Sequence, residues 1–158
     1  MTEATAIEIR PATVADADVV ARIHVTSRVA SMPFLPPPKR THEQVTRWVE
    51  EVLLTECRTW VAVRGGEVLG YAAVEGSWLE HLYLRPDVRR QGIGTYLLNE
   101  AKWHSAGALS LHVFEQNTDA RAFYERHGFT VLSVSDGSEN MEKLPDLTMG
   151  WTLEGVAE

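Results

Sequence analysis

The chain has 158 residues, of which 44% are apolar and 23% charged, figures that suit one soluble domain with a sizeable core. Its formal net charge of −7 is the wrong sign for a protein that lives on a phosphate backbone, and no apolar run approaches the ~18 residues of a membrane span, so neither nucleic acid nor membrane is an expected partner. A single cysteine, Cys57, excludes an internal disulfide and a zinc site built on a cysteine pair; with no basic and apolar leader in residues 1–10, the expected compartment is the cytoplasm.

Taken in chain order, Ile7 to Arg10 reads as a short strand, and Thr13-Val14-Ala15-Asp16 as a capping box opening a helix that runs to about Ala30. Met32 to Lys39 holds Pro33 and the run Pro36-Pro37-Pro38, a stiff extended loop. Thr41-His42-Glu43-Gln44 is a second capping box. Behind it Val45, Trp48, Val49, Val52 and Leu53 fall on one face of a helix. The period then changes. Trp60 to Arg64 and Val68 to Val74 are β-rich runs joined by Gly65-Gly66, which signals a hairpin. Trp78 to Leu84 is a third strand of this set, stopped by Pro86. Gly92 to Ala106 reads as a helix, Leu109 to Val113 as a strand and Thr118 to His127 as a helix closed by Gly128. Phe129 to Val134 and Leu147 to Leu153 are the last strands, separated by the polar loop Asp136 to Asp146. The expectation is a mixed α/β fold of about seven strands and about four helices, in a single domain spanning 1–158.

The segment Arg89-Arg90-Gln91-Gly92-Ile93-Gly94-Thr95 joins a strand to a helix. Its two glycines let the backbone approach a ligand closely, and the following helix aims free N–H groups and its positive dipole end at the same place. Arg85, Arg89 and Arg90 add positive charge to an acidic chain, so the site suits a pyrophosphate. A dinucleotide fingerprint would need a glycine where Leu97 stands, and a P-loop would need a lysine after Gly94 in place of Thr95; both fail. The remaining plain reading is a turn with two convenient glycines.

Arg89-x-x-Gly92-x-Gly94 resembles the signature of the GNAT superfamily of N-acetyltransferases, and Leu82-Tyr83-Leu84-Arg85-Pro86 resembles the strand that leads into it. Downstream, Asn117-Thr118-Asp119-Ala120-Arg121-Ala122-Phe123-Tyr124-Glu125-Arg126-His127-Gly128-Phe129 is similar to that family's second motif. The resemblance implies a splayed mixed sheet with acetyl-CoA, the acyl donor, in the opening between the fourth and fifth strands. Backbone groups of Leu82, Tyr83 and Leu84 would pair with its pantetheine arm, and Arg89, Arg90, Gln91, Gly92, Ile93, Gly94 and Thr95 would hold its pyrophosphate. Asn117 and Tyr124 would face its thioester end. The amino-terminal helices and the proline loop would shape the acceptor pocket. The family's acceptors range from small amines to protein termini, so the acceptor is open between a small molecule and a peptide. A homodimer is compatible with this picture.

Acetyl transfer from a thioester to an amine poses two proton problems. A lysine-like amine, of pKa ~10.4, must lose a proton before attack, and the departing thiolate benefits from gaining one. By the family match Tyr124 is the candidate acid; by helical spacing alone it would be a core tyrosine beside Phe123. Glu80 is the candidate base, or else an exposed carboxylate that attracts a cationic acceptor. His81 comes second, because a regular strand would turn it to the opposite face. His24 and Arg28 share a face of the first long helix and are candidates to contact the acceptor, with plain surface positions the simpler reading. Asn117 also reads as a helix N-cap. Cys57 reads as structural, and His42-Glu43-Gln44-Val45-Thr46 lacks the second histidine of a zinc motif, so no metal is expected. Beside the N-acetyltransferase stand two alternatives: an idle acyl-CoA-binding or sensing domain, and an acyltransferase for a longer acyl group.

Overall fold

The structure, a computed structural model, describes residues 6–154, and it divides into two compact units that meet in the sequence at Ala101 and Lys102. Seven strands and four principal helical stretches make it an α/β fold.

The first unit opens with β1 (Glu8–Pro11) and a short 3-10 turn (Val14–Asp16) that leads into α1 (Ala17–Ser31). The Asp16 carboxylate accepts the Thr13 N–H at 2.8 Å and two guanidinium bonds from Arg10, at 2.9 and 3.0 Å, which ties the helix start to the first strand. Arg10 thereby holds the Asp16 carboxyl below its usual range. After the proline loop, Thr41 caps α2 (His42–Trp48): its Oγ1 accepts from Gln44 N–H at 3.1 Å, and Gln44 Oε1 accepts from Thr41 N–H at 2.8 Å. The helix then widens into a π-helical turn, Val49–Leu53, before ending in α3 (Leu54–Glu56). This turn departs from the regular apolar face expected from the spacing. Val45, Val49 and Leu53 are buried, but Val52 is 36% exposed, because one wide turn rotates the positions that follow it.

β2 (Arg58–Arg64), β3 (Glu67–Glu75) and β4 (Trp78–Leu84) follow, each antiparallel to the one before, and β1 pairs antiparallel with β2. β3 is buried from Val68 to Val74 without alternation, so it is covered on both faces and reads as a continuous apolar run. Gly65 and Gly66 both have positive φ, 60° and 83°, as a tight hairpin turn requires. The core of this unit joins Val20, Ile23, Val45, Val49, Leu53, Val61 and Tyr71. A 3-10 turn (Pro86–Val88) leads through the glycine loop into α4 (Ile93–Trp103), whose first nine residues belong here.

The second unit contains β5 (Ala108–Phe114), α5 (Thr118–Arg126), β6 (Thr130–Ser135) and β7 (Asp146–Thr152). β7 pairs antiparallel with β5 on one side and with β6 on the other. Lys102 donates to the His127 carbonyl at 2.6 Å and lies 4.7 Å from the Trp151 ring centroid, so it closes the end of α5 and covers an aromatic face. Among the described residues no helix is long and apolar enough to cross a membrane.

Candidate active site

The glycine loop has the backbone that its sequence suggests. Arg90 and Gly92 both take left-handed conformations, with φ of 68° and 84°. A Cβ added at Gly92 would meet nothing within 4 Å, so the chain is open on that side. Gly94 is buried in the first turn of α4, and Tyr96 N–H to the Gly92 carbonyl, at 3.2 Å, is an early bond of the helix. The N–H groups before it point out of the helix end. Arg89 and Arg90 are exposed; Arg89 reaches the Ser31 hydroxyl at 3.4 Å, and the Gln91 side chain accepts from Arg64 at 3.2 Å. Arg85 contributes less charge than the sequence suggests. Asp87 accepts from its Nε at 3.0 Å and its Nη2 at 2.7 Å, and Glu67 from its Nη1 at 3.1 Å, so two carboxylates offset it. Two exposed arginines, a left-handed turn and an eleven-residue helix pointing away from it form a cradle that fits a pyrophosphate.

β4, which runs into this loop, is irregular where the chemistry is expected. Ala73 of β3 pairs with His81 and Val74 with Leu79, so Glu80 is the extra residue of a β-bulge. A bulge breaks the two-residue alternation, which removes the ground for assigning His81 to the face opposite Glu80. Glu80 is exposed, and with Glu75 and Glu56 it contributes to raising Cys57, whose thiol burial pushes up to about 11. Cys57 is therefore an inert thiol.

His81 lies in a box of rings. The centroids of His24, Trp48, Tyr83 and Tyr71 lie 5.5, 5.6, 6.0 and 6.2 Å from its own. His24 is 8% exposed, which corrects the simpler reading of it as a surface residue. Its Nδ1 shares a 2.8 Å hydrogen bond with the hydroxyl of the fully buried Tyr71. Arg28 donates to the Tyr83 hydroxyl at 2.9 Å, and the Arg40 guanidinium lies 5.5 Å from the Trp48 ring centroid. Burial pushes His24 down to about 3 and His81 to about 4, so both rings are neutral near pH 7. The structure thus brings together His24, Arg28, Tyr83 and His81, which are dispersed along the sequence, and adds Tyr71 and Trp48. Neither is a site candidate in the sequence, where Trp48 stands only on a helix face and Tyr71 only within a β-rich run. The only sequence signal for Tyr71 is a hydroxyl in the middle of an apolar run.

In the second unit, the Asn117 side chain accepts the Ala120 N–H at 3.3 Å, the N-cap its position suggests. Tyr124 is half-buried on α5 and meets Phe123 and Phe129 edge-on, with centroids at 5.3 and 5.5 Å. Among the described residues no group of three His, Cys, Asp or Glu side chains is arranged to hold a metal ion.

Comparison with known proteins gives this geometry a family. The profile of the acetyltransferase (GNAT) domain matches residues 55–131, which span the bulged strand, the glycine loop and α5. The peptidyl-lysine N-acetyltransferase YjaB of Escherichia coli is 32% identical over 99 residues, 62% of this chain and 67% of that protein. The chain belongs to the GNAT family of acetyltransferases. YjaB of Salmonella typhimurium is 37% identical over 97 residues, 61% of this chain and 66% of that protein, so the match spans about two thirds of each relative's length. The solution structure of apo YjaB from Escherichia coli superposes with a TM-score of 0.76 at 28% identity, covering 92% of this chain and 97% of that one. Yet more distant in sequence, yncA of Salmonella typhimurium, solved with acetyl-CoA, shares the fold with a TM-score of 0.71 at 21% identity over 97% of both chains.

Proposed function

We propose that this GNAT protein transfers an acetyl group from acetyl-CoA to a primary amine of a peptide or small molecule, the whole chain acting as one catalytic domain. The observation that carries the reading is the left-handed Arg90–Gly92 turn opening into α4. Amides of Arg90 to Thr95, with Arg89, bind the pyrophosphate, and the backbone of Leu82, Tyr83 and Leu84 lies along the pantetheine. The names of the YjaB relatives favour a peptide amine over a free small amine as acceptor.

The reaction is direct attack. The amine's lone pair adds to the thioester carbonyl carbon, and the tetrahedral adduct collapses with the C–S electron pair leaving on sulfur. Tyr124 supplies the proton that the departing sulfur takes, since a phenol of pKa ~10 stays protonated at neutral pH. Glu80 takes the proton that the amine nitrogen sheds once it has added to the carbonyl carbon. Its exposure and its place in the bulge suit reception through water rather than direct abstraction by a buried group. Asn117 holds the first turn of the helix that carries Tyr124. The decisive experiment pairs a thermal melt with and without CoA against thiol release over a panel of amines and acyl-CoAs. Stabilisation by CoA together with amine-dependent thiol release supports acetyl transfer. Stabilisation without release from any amine leaves an acyl-CoA-binding domain, and release that rises with acyl length leaves a longer-chain acyltransferase.

A further inference from the structure

Nδ1 of His81 is a buried side-chain nitrogen with no hydrogen-bond partner among the described residues. Leaving a buried polar atom unpaired is costly, and a folded protein rarely does so without a use for it. This one lies among four other rings, and the two of them that bound it from α2 and β4, Trp48 and Tyr83, are only half-buried. Both rings are partly exposed, so the box reaches solvent on their side. An unpaired acceptor costs less than an unpaired donor, so the proton of the neutral ring resides on Nε2 and Nδ1 presents a bare lone pair.

We infer that this box receives the acceptor amine as its uncharged free base, with His81 Nδ1 accepting the amine's N–H, and that the chain therefore selects amines of low pKa, α-amino groups before lysine ε-amino groups. The inference rests on the acetyl-transfer reading and names the acceptor class within it. Charge supports the choice. Arg28 on α1 and Arg40 beside Trp48 are the fixed charges that act on the two histidines, and both are positive. An ammonium would enter the box against two guanidinium groups, with neutral histidines to receive it. A free base meets a lone pair and aromatic walls. The α-amino group, of pKa ~7.7–8.0, offers far more free base at pH 7 than a lysine side chain of pKa ~10.4, by on the order of 10²-fold. This separates the chain from the lysine acceptors in its relatives' names.

The test uses one peptide in two forms, with either the α-amine or a single lysine left unblocked, and measures kcat/KM by thiol release at pH 7 and at pH 9.5. The expected result is an α-amine preference of about 10²-fold at pH 7 that narrows at the higher pH. A lysine preference at pH 7 overturns the inference while leaving acetyl transfer intact. No thiol release from either peptide, in a protein that CoA still stabilises against heat, sinks acetyl transfer and the inference with it. His81→Leu keeps the volume and removes the lone pair. It should lower kcat/KM for the α-amine by about 10- to 100-fold, with its melting point and its stabilisation by CoA held or raised. His81→Asn, which keeps an acceptor near the Nδ1 position, should recover most of that loss. Wild-type kcat/KM in a folded His81→Leu, or an Asn variant no better than Leu, overturns the assignment. If Leu does not fold, the two-peptide comparison on the unaltered protein decides alone.

Discussion

Gly66 and Gly92 form a matched pair for testing the glycine loop. Their φ angles are 83° and 84°, and a Cβ at either would meet nothing within 4 Å. Alanine at each therefore costs only the left-handed backbone penalty of about 1–2 kcal/mol, offset in part by the ~0.4–1 kcal/mol that a stiffer unfolded chain returns. Both variants should melt about 2–4 °C lower, by the usual slope for a chain of this size. They should differ in binding. Gly66 turns the β2–β3 hairpin, where alanine touches no ligand. Gly92 precedes α4, where relaxing φ re-aims the loop amides. Each lost bond between an amide and a charged phosphate oxygen is worth about 1.5–3 kcal/mol, or about 10- to 100-fold in affinity. Calorimetric titration with CoA on wild type, Gly66→Ala and Gly92→Ala, alongside melting curves, gives the comparison. Equal CoA affinity in the two variants, at equal melting points, would refute the pyrophosphate role and leave the loop as a turn.

Tyr124→Phe should lower kcat by about 10²-fold, the low end for losing a general acid, with KM for acetyl-CoA little changed; a folded variant with wild-type single-turnover rates would remove the acid role. Glu80→Gln should lower turnover and displace the acidic limb of the pH–rate profile without altering CoA affinity, and an unmoved limb would make Glu80 a bystander. Stability should fall with acid below about pH 6.5. There the unfolded chain protonates its histidines at their ordinary ~6.5, while His24 and His81 stay neutral in the fold down to about 3 and about 4. More protons bind the unfolded state, so stability is full above pH 6.5 and is lost toward pH 4, by up to about 1.4 kcal/mol per pH unit for each ring. Urea midpoints at pH 7 and pH 5 should converge in His24→Gln relative to wild type; the same decline in both would show that His24 is not the source.

The local features were legible because each rests on chemistry within a few residues. Thr41 and Gln44 cap a helix three residues apart, Gly65-Gly66 turns a hairpin, and the glycine loop declares its backbone through the glycines themselves. What escaped the sequence depends on register or on distance along the chain. The π-helical turn at Val49–Leu53 leaves no residue signature, so the regular period carried Val52 inward when the wide turn swings it out. The bulge at Glu80 is a property of the β3–β4 pairing and cannot be read from β4 alone. Likewise, the burial of His24 depends on Tyr71, 47 residues away. A histidine on an amphipathic helix reads as surface until a hydroxyl from a distant strand receives it.

The bulge and the box share a cause. A strand that kept strict alternation from Trp78 to Leu84 would place His81 and Tyr83 on one face, and Glu80 and Leu82 on the other. Adding Glu80 as the extra residue of the bulge lets β4 keep its pairing with Ala73 and Tyr71 beyond it. His81 and Tyr83, opposite Ala73 and Tyr71, stay in register to meet α1 through His24 and Arg28. The same strand then continues without another break into the turn at Pro86 that leads to the glycine loop. One short segment thus carries the candidate base, the ring with the bare nitrogen and the backbone expected along the donor's arm. Substitutions in β4 should therefore be judged by pairing as well as by chemistry: a change that shifts the Ala73–His81 register would move all three together, whereas Glu80→Gln and His81→Asn leave the ladder alone and separate them.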